Sequence, residues 1–298
     1  MKLQFVTLDV FTSTRFAGNQ LAIVSIPPEL VNTITYDQKL QIAKEFNLAE
    51  TVFILEPDSP TATNIPINIY LPSTEISFAG HPAIGTGIYL LTQQTRFQNV
   101  TSVNPRAGII PLTYDADTQT ISASIPHSTQ LHPFTLPNPS PSLPTFPAQS
   151  PLFSIVPDMA FALVRLPDLS SLSLATRSYP DPSSLPSFRG TKYYVPLPSP
   201  SISPYVLRTR LHGSSHDPVE DAATGSASCA LACYLCLTEI PVEKGEGPFE
   251  YHIIQGVEMG RKSDIWVKVQ RTTDGKGVQG VWLRGGAVGP VTRGEIEL

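Results

Sequence analysis

The feature that most constrains this chain is a short motif that occurs twice. Phe78-Ala79-Gly80-His81-Pro82-Ala83-Ile84-Gly85 is answered downstream by Asp221-Ala222-Ala223-Thr224-Gly225-Ser226-Ala227-Ser228. With Gly80 laid on Gly225 the two continue as GHPAIGTGIYLL and GSASCALACYLC, and Tyr89-Leu90 falls on Tyr234-Leu235. The offset is 145 residues (225 − 80), close to half of the 298-residue chain. A small-residue turn that enters an apolar helix, repeated half a length later, predicts two similar lobes. Each would present one helix N-terminus to a shared cleft.

A helix N-terminus carries unpaired N–H groups and about half a positive charge, so it suits a carboxylate or phosphate. Two such ends facing one another would grip an anion from both sides. Gly80 lets backbone approach a ligand, Pro82 fits the first helical turn, and Ile84, Ile88 and Leu91 recur at helical spacing. His81 then sits at the helix mouth, where an imidazole donates or accepts a hydrogen bond. In the second copy Thr224 or Ser226 is expected to cap the helix, with Ala227, Ala230, Leu231 and Tyr234 on its buried face. Asp221 lies one turn earlier. It neighbours Glu220, and in an extended segment the two carboxylates point to opposite sides, so Asp221, nearer the glycine turn, is the one expected to face the cleft.

Charged residues make up 15% and the net charge is −5, with lysine and arginine dispersed, which gives no footprint for nucleic acid or an acidic membrane. No secretory leader or membrane-spanning run is read, and a cytoplasmic protein is expected. Cys229, Cys233 and Cys236 fall at i, i+4 and i+7, one face of a helix, where cysteine packs as a small apolar residue. Their spacing matches the loop of radical iron–sulfur enzymes, but a helix is the wrong setting, so no metal is assigned to them. His212 and His216 are four apart, yet Gly213, Ser214 and Ser215 between them argue for a loop, and no metal is assigned there either.

Strands are expected at 3–10, 21–26 and 51–55, a helix at 37–46 ended by Asn47, and a half-buried strand at 64–71 whose Pro66 suggests an edge or a strand start. Glu50 enters the strand 51–55 among apolar neighbours. Partial desolvation there would make it a tunable acid or base. A helix at 83–92 and strands at 98–103, 108–114 and 119–125 complete a first lobe, residues 1–125. Of the 30 prolines, 17 fall between residues 126 and 204, and the Pro/Ser-rich stretch 126–151 is expected to be an irregular linker. A second lobe, 152–285, would hold strands at 159–166, 192–197, 205–211, 251–258, 264–270 and 277–283, and a last strand near 286–298 would return to the first lobe.

Several of these segments, taken in order, resemble the PhzF-like family of phenazine biosynthesis. They are Asp9-Val10-Phe11 with Phe16-Ala17-Gly18-Asn19, then Leu48-Ala49-Glu50-Thr51, Phe78-Ala79-Gly80-His81-Pro82, Glu220-Asp221-Ala222-Ala223-Thr224-Gly225-Ser226-Ala227 and Gln255-Gly256-Val257-Glu258-Met259-Gly260-Arg261. The resemblance implies the diaminopimelate epimerase-like fold, an α+β architecture of two pseudo-symmetric lobes, each a curled, mostly antiparallel sheet around a central helix. It implies a homodimeric isomerase that uses no cofactor and moves a proton within a small unsaturated carboxylic acid. Carried over by motif, Glu50 would shuttle the proton while His81, Asp221 and Ser226 bind and polarise the substrate. Backbone N–H groups near Gly80, His81, Gly225 and Ser226 would hold its carboxylate. The chain departs from the family at Ala222, where proline usually follows the aspartate. A lyase or ring-closing catalyst, or a binding protein retaining the fold, are the alternative readings. Thiol-based racemases of this fold use two opposed cysteines, but His81 and Ser226 stand at those turns and Cys229 comes three residues late.

Overall fold

The computed structural model describes residues 1–93, 97, 99–138, 145–199, 204–215 and 219–298. The chain divides into two compact units, Met1–Ser124 with Arg284–Leu298, and Ile125–Leu283. The first unit contains β1 (Lys2–Val10), β2 (Asn19–Ile26), α1 (Tyr36–Phe46), β3 (Glu50–Leu55), β4 (Asn64–Tyr70), β5 (Glu75–Ile76), α2 (Gly80–Ile88), β6 (Ser102–Asn104), β7 (Ile110–Asp115) and β8 (Thr120–Ser124). The second contains β9 (Gln130–Pro137), β10 (Gln149–Val156), β11 (Met159–Arg165), α3 (Leu169–Ser173), β12 (Phe188–Pro196), β13 (Tyr205–Gly213), β14 (Glu220–Asp221), α4 (Gly225–Thr238), β15 (Phe249–Gln255), β16 (Ser263–Arg271) and the start of β17 (Val278–Gly285). A final strand, β18 (Ala287–Glu297), returns to the first unit and pairs antiparallel with β1, from Lys2 opposite Glu297 to Val10 opposite Ala287.

The two sheets share one pairing code. In the first unit β18–β1 and β1–β2 are antiparallel, β2–β3 parallel, β3–β4 and β4–β5 antiparallel, β4–β6 parallel and β6–β7 antiparallel. In the second, β9–β10 and β10–β11 are antiparallel, β11–β12 parallel, β12–β13 and β13–β14 antiparallel, β13–β15 parallel and β15–β16 antiparallel. The fold is therefore α+β, two topologically equivalent and mostly antiparallel sheets. The helix that opens at Gly80 in one is matched by the helix that opens at Gly225 in the other.

Each of these helices is the core of its unit. Every residue of α2 is buried, and the helix meets β1, β2, β3, β6, β7 and β8. Such close approach demands small residues. A Cβ at Gly85 would sit 2.6 Å from the Leu21 side chain and 2.7 Å from that of Val10, and one at Gly87 would sit 2.9 Å from Ile121. In α4 the same room comes from Ala227, Ser228, Ala230 and Ala232, all buried. The helix is enclosed nearly all round rather than along one stripe, and Tyr234 is half-buried with its ring edge-on to Phe153. On the other face of the first sheet α1 is closed by a Thr35–Gln38 capping box and ended by Asn47 in the left-handed region (φ 49°). Its Ile42 and Ala43 join Val24, Ile26, Phe53 and Tyr70 in one cluster.

One local expectation is corrected and one is narrowed. The Pro/Ser-rich stretch 126–151 is not irregular throughout: it holds β9 and the first residues of β10, while 139–144 lie outside the described residues. Among the described residues β9 pairs only with β10, and an edge strand can carry Pro133 and Pro137 because one side of its backbone needs no donor. Of the two readings of Pro66, an edge or a strand start, the structure favours the start, since it is the third residue of β4. β4 runs between β3 and β5/β6, and Pro66 falls just beyond the last β3 pair, Ile54 opposite Ile67. No helix among the described residues is long and apolar enough to cross a membrane.

Candidate active site

In the first unit the pairing of β2 with β3 begins at Leu21 opposite Glu50, so Glu50 is the first residue of an inner parallel strand. α2 starts nearby with Gly80, and His81 is its second residue. The imidazole Nδ1 lies 3.4 Å from Glu50 Oε2, with 3% of the His81 side chain and 15% of the Glu50 side chain accessible. A carboxylate and an imidazole are thus brought together where water reaches only the carboxylate's edge. The pair can hold a proton between them or pass one to a bound molecule.

The Asp9-to-Asn19 segment shapes the turn between β1 and β2. Asp9 is buried and its Oδ2 accepts the Phe16 N–H at 2.7 Å. Phe11, Phe16 and Gly18 all take positive φ. At Gly18 a Cβ would sit 2.2 Å from the Val10 carbonyl, which fixes glycine there.

In the second unit the turn before α4 is tied by polar side chains. Asp221 Oδ2 accepts the Thr224 hydroxyl at 2.6 Å and Oδ1 the Ala223 N–H at 3.3 Å. Gln255 reaches in from the end of β15, its Nε2 donating to the Asp221 carbonyl at 2.8 Å and to Thr224 Oγ1 at 3.1 Å. Gly256 (φ +73°) follows, and a Cβ on it would sit 2.6 Å from the carbonyl oxygens of both Ala222 and Arg261. The turn that carries Ala222 is closed down by these contacts. Ser226, the second residue of α4, is 8% accessible.

Neither helix mouth spends a side chain on itself. The N-cap of α2 is Ala79, which has none to give. Thr224 occupies the N-cap of α4, but its hydroxyl goes to Asp221, so the expected cap by Thr224 is not made. A helix N-terminus carries the polarity that suits an anion.

Glu220 and Asp221 do diverge. Glu220 is held by Arg210, whose Nε and Nη2 donate to its two oxygens at 2.7 Å each. The same guanidinium donates to the carbonyls of Leu172 and Ser173. His212 is buried in β13 with Nε2 2.7 Å from the Ala175 carbonyl, and burial pulls its pKa down; His216 lies outside the described residues. Cys229, Cys233 and Cys236 are buried free thiols inside α4. Burial pushes Cys229 up to about 12, Cys236 up to about 11 and Cys233 well above its ordinary value, so all three are protonated thiols at neutral pH.

One buried group was not picked out from the sequence. Lys192, inside β12, has 0% accessibility, and its Nζ donates to Ser228 Oγ at 3.1 Å and to Gln255 Oε1. Burial lowers its pKa to about 7, against the raising influence of Asp221 and Cys229. β12 is buried on both faces, so alternation along Lys192-Tyr193-Tyr194-Val195 gives no sign that one side chain is special.

Two topologically equivalent sheets, each around a central helix, place the chain in the class of the diaminopimelate epimerase-like fold. A sequence profile described as phenazine biosynthesis-like protein matches residues 8–139 and 163–293. The chain belongs to this phenazine biosynthesis-like family. It is 30% identical to an uncharacterized isomerase of Mesorhizobium japonicum, covering 95% of each chain, and 29% identical to trans-2,3-dihydro-3-hydroxyanthranilate isomerase of Pseudomonas chlororaphis, covering 91% of each. Among solved structures it is similar to a PhzF-family phenazine biosynthesis protein of Bacillus anthracis, with a TM-score of 0.76 at 19% identity over the whole of both chains.

Proposed function

We propose that this protein is an isomerase that moves a proton within a small unsaturated carboxylic acid, with Glu50 as the group that takes the proton and returns it. The observation that carries the reading is the 3.4 Å approach of Glu50 Oε2 to His81 Nδ1 at the mouth of α2, both groups largely withdrawn from water. The names of the relatives support the reaction class, since those of Pseudomonas chlororaphis and Pseudomonas fluorescens are trans-2,3-dihydro-3-hydroxyanthranilate isomerases.

In this reading the mouths of α2 and α4 both serve the reaction. N–H groups near Gly80, His81, Gly225 and Ser226 receive the substrate carboxylate, and His81, Asp221 and Ser226 bind and polarise the conjugated system. Glu50 accepts a proton from one carbon while negative charge spreads over the acid, where those donors stabilise it. The same carboxyl then delivers the proton to another carbon, so no bond other than C–H need break and the mass is unchanged. One group doing both jobs needs no cofactor and no metal. The protein acts as a cytoplasmic homodimer on a free small acid, without nucleic acid or membrane.

The test is incubation with trans-2,3-dihydro-3-hydroxyanthranilate in D₂O. Turnover to an isomer is expected, with no mass change beyond at most one deuterium, taken up to the extent that the proton held on Glu50 exchanges with solvent before it is returned, and Glu50→Gln should lose roughly 10²–10⁴-fold in rate while remaining folded. A product lighter by water, or carrying a new ring, would establish the lyase or cyclisation reading instead. Binding with neither turnover nor exchange across a broad panel of small acids would establish a non-catalytic binding protein. Undiminished turnover by Glu50→Gln would remove Glu50 from the reaction.

A further inference from the structure

The hydrogen bonds behind the α4 mouth run in one direction. An ammonium only donates, so Gln255 must turn Oε1 toward Lys192 and Nε2 toward the turn. Thr224 Oγ1, having accepted from Gln255, gives its own proton to Asp221 Oδ2 at 2.6 Å. A second branch leaves Lys192 through Ser228, whose hydroxyl donates to the Thr224 carbonyl at 2.8 Å. Both branches end on the four-residue turn that opens α4. The other titratable groups that bear on the amine are Asp221 from β14 and Cys229 from α4.

The equivalence of the two sheets shows that the fold does not require this network. In the second unit Lys192 is opposite Leu211, and Leu211 opposite Asp221; in the first, Val52 is opposite Ile69, and Ile69 opposite Ile76. Ile76 and Asp221 each stand four residues before the glycine of their helix, which confirms the register. Lys192 therefore corresponds to Val52, Asp221 to Ile76, Thr224 to Ala79 and Ser228 to Ala83. Each of these four polar members has an apolar counterpart in a unit of the same topology. A buried cation that the architecture does not demand, and whose bonds run to the turn bearing Asp221 with one path ending on its carboxylate, points to a role in holding that turn and that carboxylate.

We propose that Lys192 is a positioning residue that, through Gln255 and Thr224, fixes the carboxylate of Asp221 at the mouth of α4. Its consequence for catalysis rests on the assignment of Asp221 to the isomerase reaction above. The restraint on the Asp221 side chain does not, and can be observed directly.

The test is Lys192→Met, which keeps the length of the side chain and removes its charge and donors. In a crystal structure of the variant the Gln255 carboxamide is expected to turn away and the Thr224–Asp221 contact to be lost. With trans-2,3-dihydro-3-hydroxyanthranilate, kcat per folded enzyme should fall roughly 10- to 100-fold, and in an Asp221→Asn background Lys192→Met should cause no further loss. A lysine that merely supported the fold would cost the same in both backgrounds. Equal losses in both, or an unchanged Thr224–Asp221 contact, would overturn the proposal. If the variant does not accumulate folded, Thr224→Val cuts the chain at its last link without stranding a charge; undiminished kcat in it would likewise overturn the proposal. A wild type inactive on this acid, together with loss of the contact in Lys192→Met, would sink the isomerase reading and leave the positioning of Asp221 standing.

Discussion

Burying an ammonium inside β12 has a price in stability that depends on pH, and its size follows from the position of Lys192. The side chain has 0% accessibility, and its pKa falls from an ordinary 10.5 to about 7 because burial disfavours the charged form. Between those two values the unfolded chain holds a proton that the folded chain has released, so stability rises with pH. The destabilisation is fully present below about pH 7 and is relieved as pH climbs toward 10.5. Integrated from about pH 6 to about pH 8.5, the wild type should gain about 2 kcal/mol over a variant without the lysine. That corresponds to roughly 4–8 °C in Tm for a chain of this size. Lys192→Met also leaves Gln255 Oε1 and Ser228 Oγ without their donor, a loss of roughly 1–3 kcal/mol that does not change with pH. The quantity to measure is therefore the wild-type minus variant difference in thermal or denaturant unfolding as pH is raised. Stopping near pH 8.5 keeps clear of Cys229 and Cys236, whose raised pKa values act in the opposite sense once free thiols begin to ionise. A difference that stays flat within about 0.5 kcal/mol over that range would refute the picture of a charged lysine held in a dry interior.

Other positions give sharper local tests. Gly256→Ala should destabilise by roughly 2–4 kcal/mol in urea unfolding, since it places a Cβ 2.6 Å from two carbonyl oxygens at φ +73°; a neutral result would mean the Gln255–Gly256 turn is free to move. Arg271 is buried and donates to the carbonyls of Cys236, Ile240, Pro241 and Gly245 around the end of α4. Arg271→Met should therefore lower stability by roughly 3 kcal/mol or more, checked by the urea midpoint, and a shift under about 1 kcal/mol would contradict that role. The three α4 thiols should resist a soluble disulfide reagent at about pH 8 in the native protein and react promptly in denaturant; fast native labelling of Cys229 would contradict its burial.

How much of this was legible in the sequence depends on whether a residue announces itself by pattern or by register. The glycine turns at Gly80 and Gly225 were legible because a helix enclosed by sheet must be built from small residues, and small residues in the same order twice are hard to miss. The partial burial of Glu50, though not its role, was legible for a related reason, a lone carboxylate at the entry to the apolar run Val52-Phe53-Ile54-Leu55. The strands β9 and β10 were not, because proline content signals the want of a donor on one side of a strand, which an edge tolerates. Lys192 was the least legible of all. A strand buried on both faces has no polar side for a lysine to violate, and the chain between Val52 and Lys192 has grown by five residues less than that between the two glycines, so no constant offset lays one on the other. Only the pairing of β12 with β13 and of β13 with β14 shows that Lys192 stands where the first unit keeps valine. A repeat therefore carries two kinds of information. Its shared residues report what the fold needs, and the places where one copy turns polar while the other stays apolar report what the fold does not need, which is where function is to be sought.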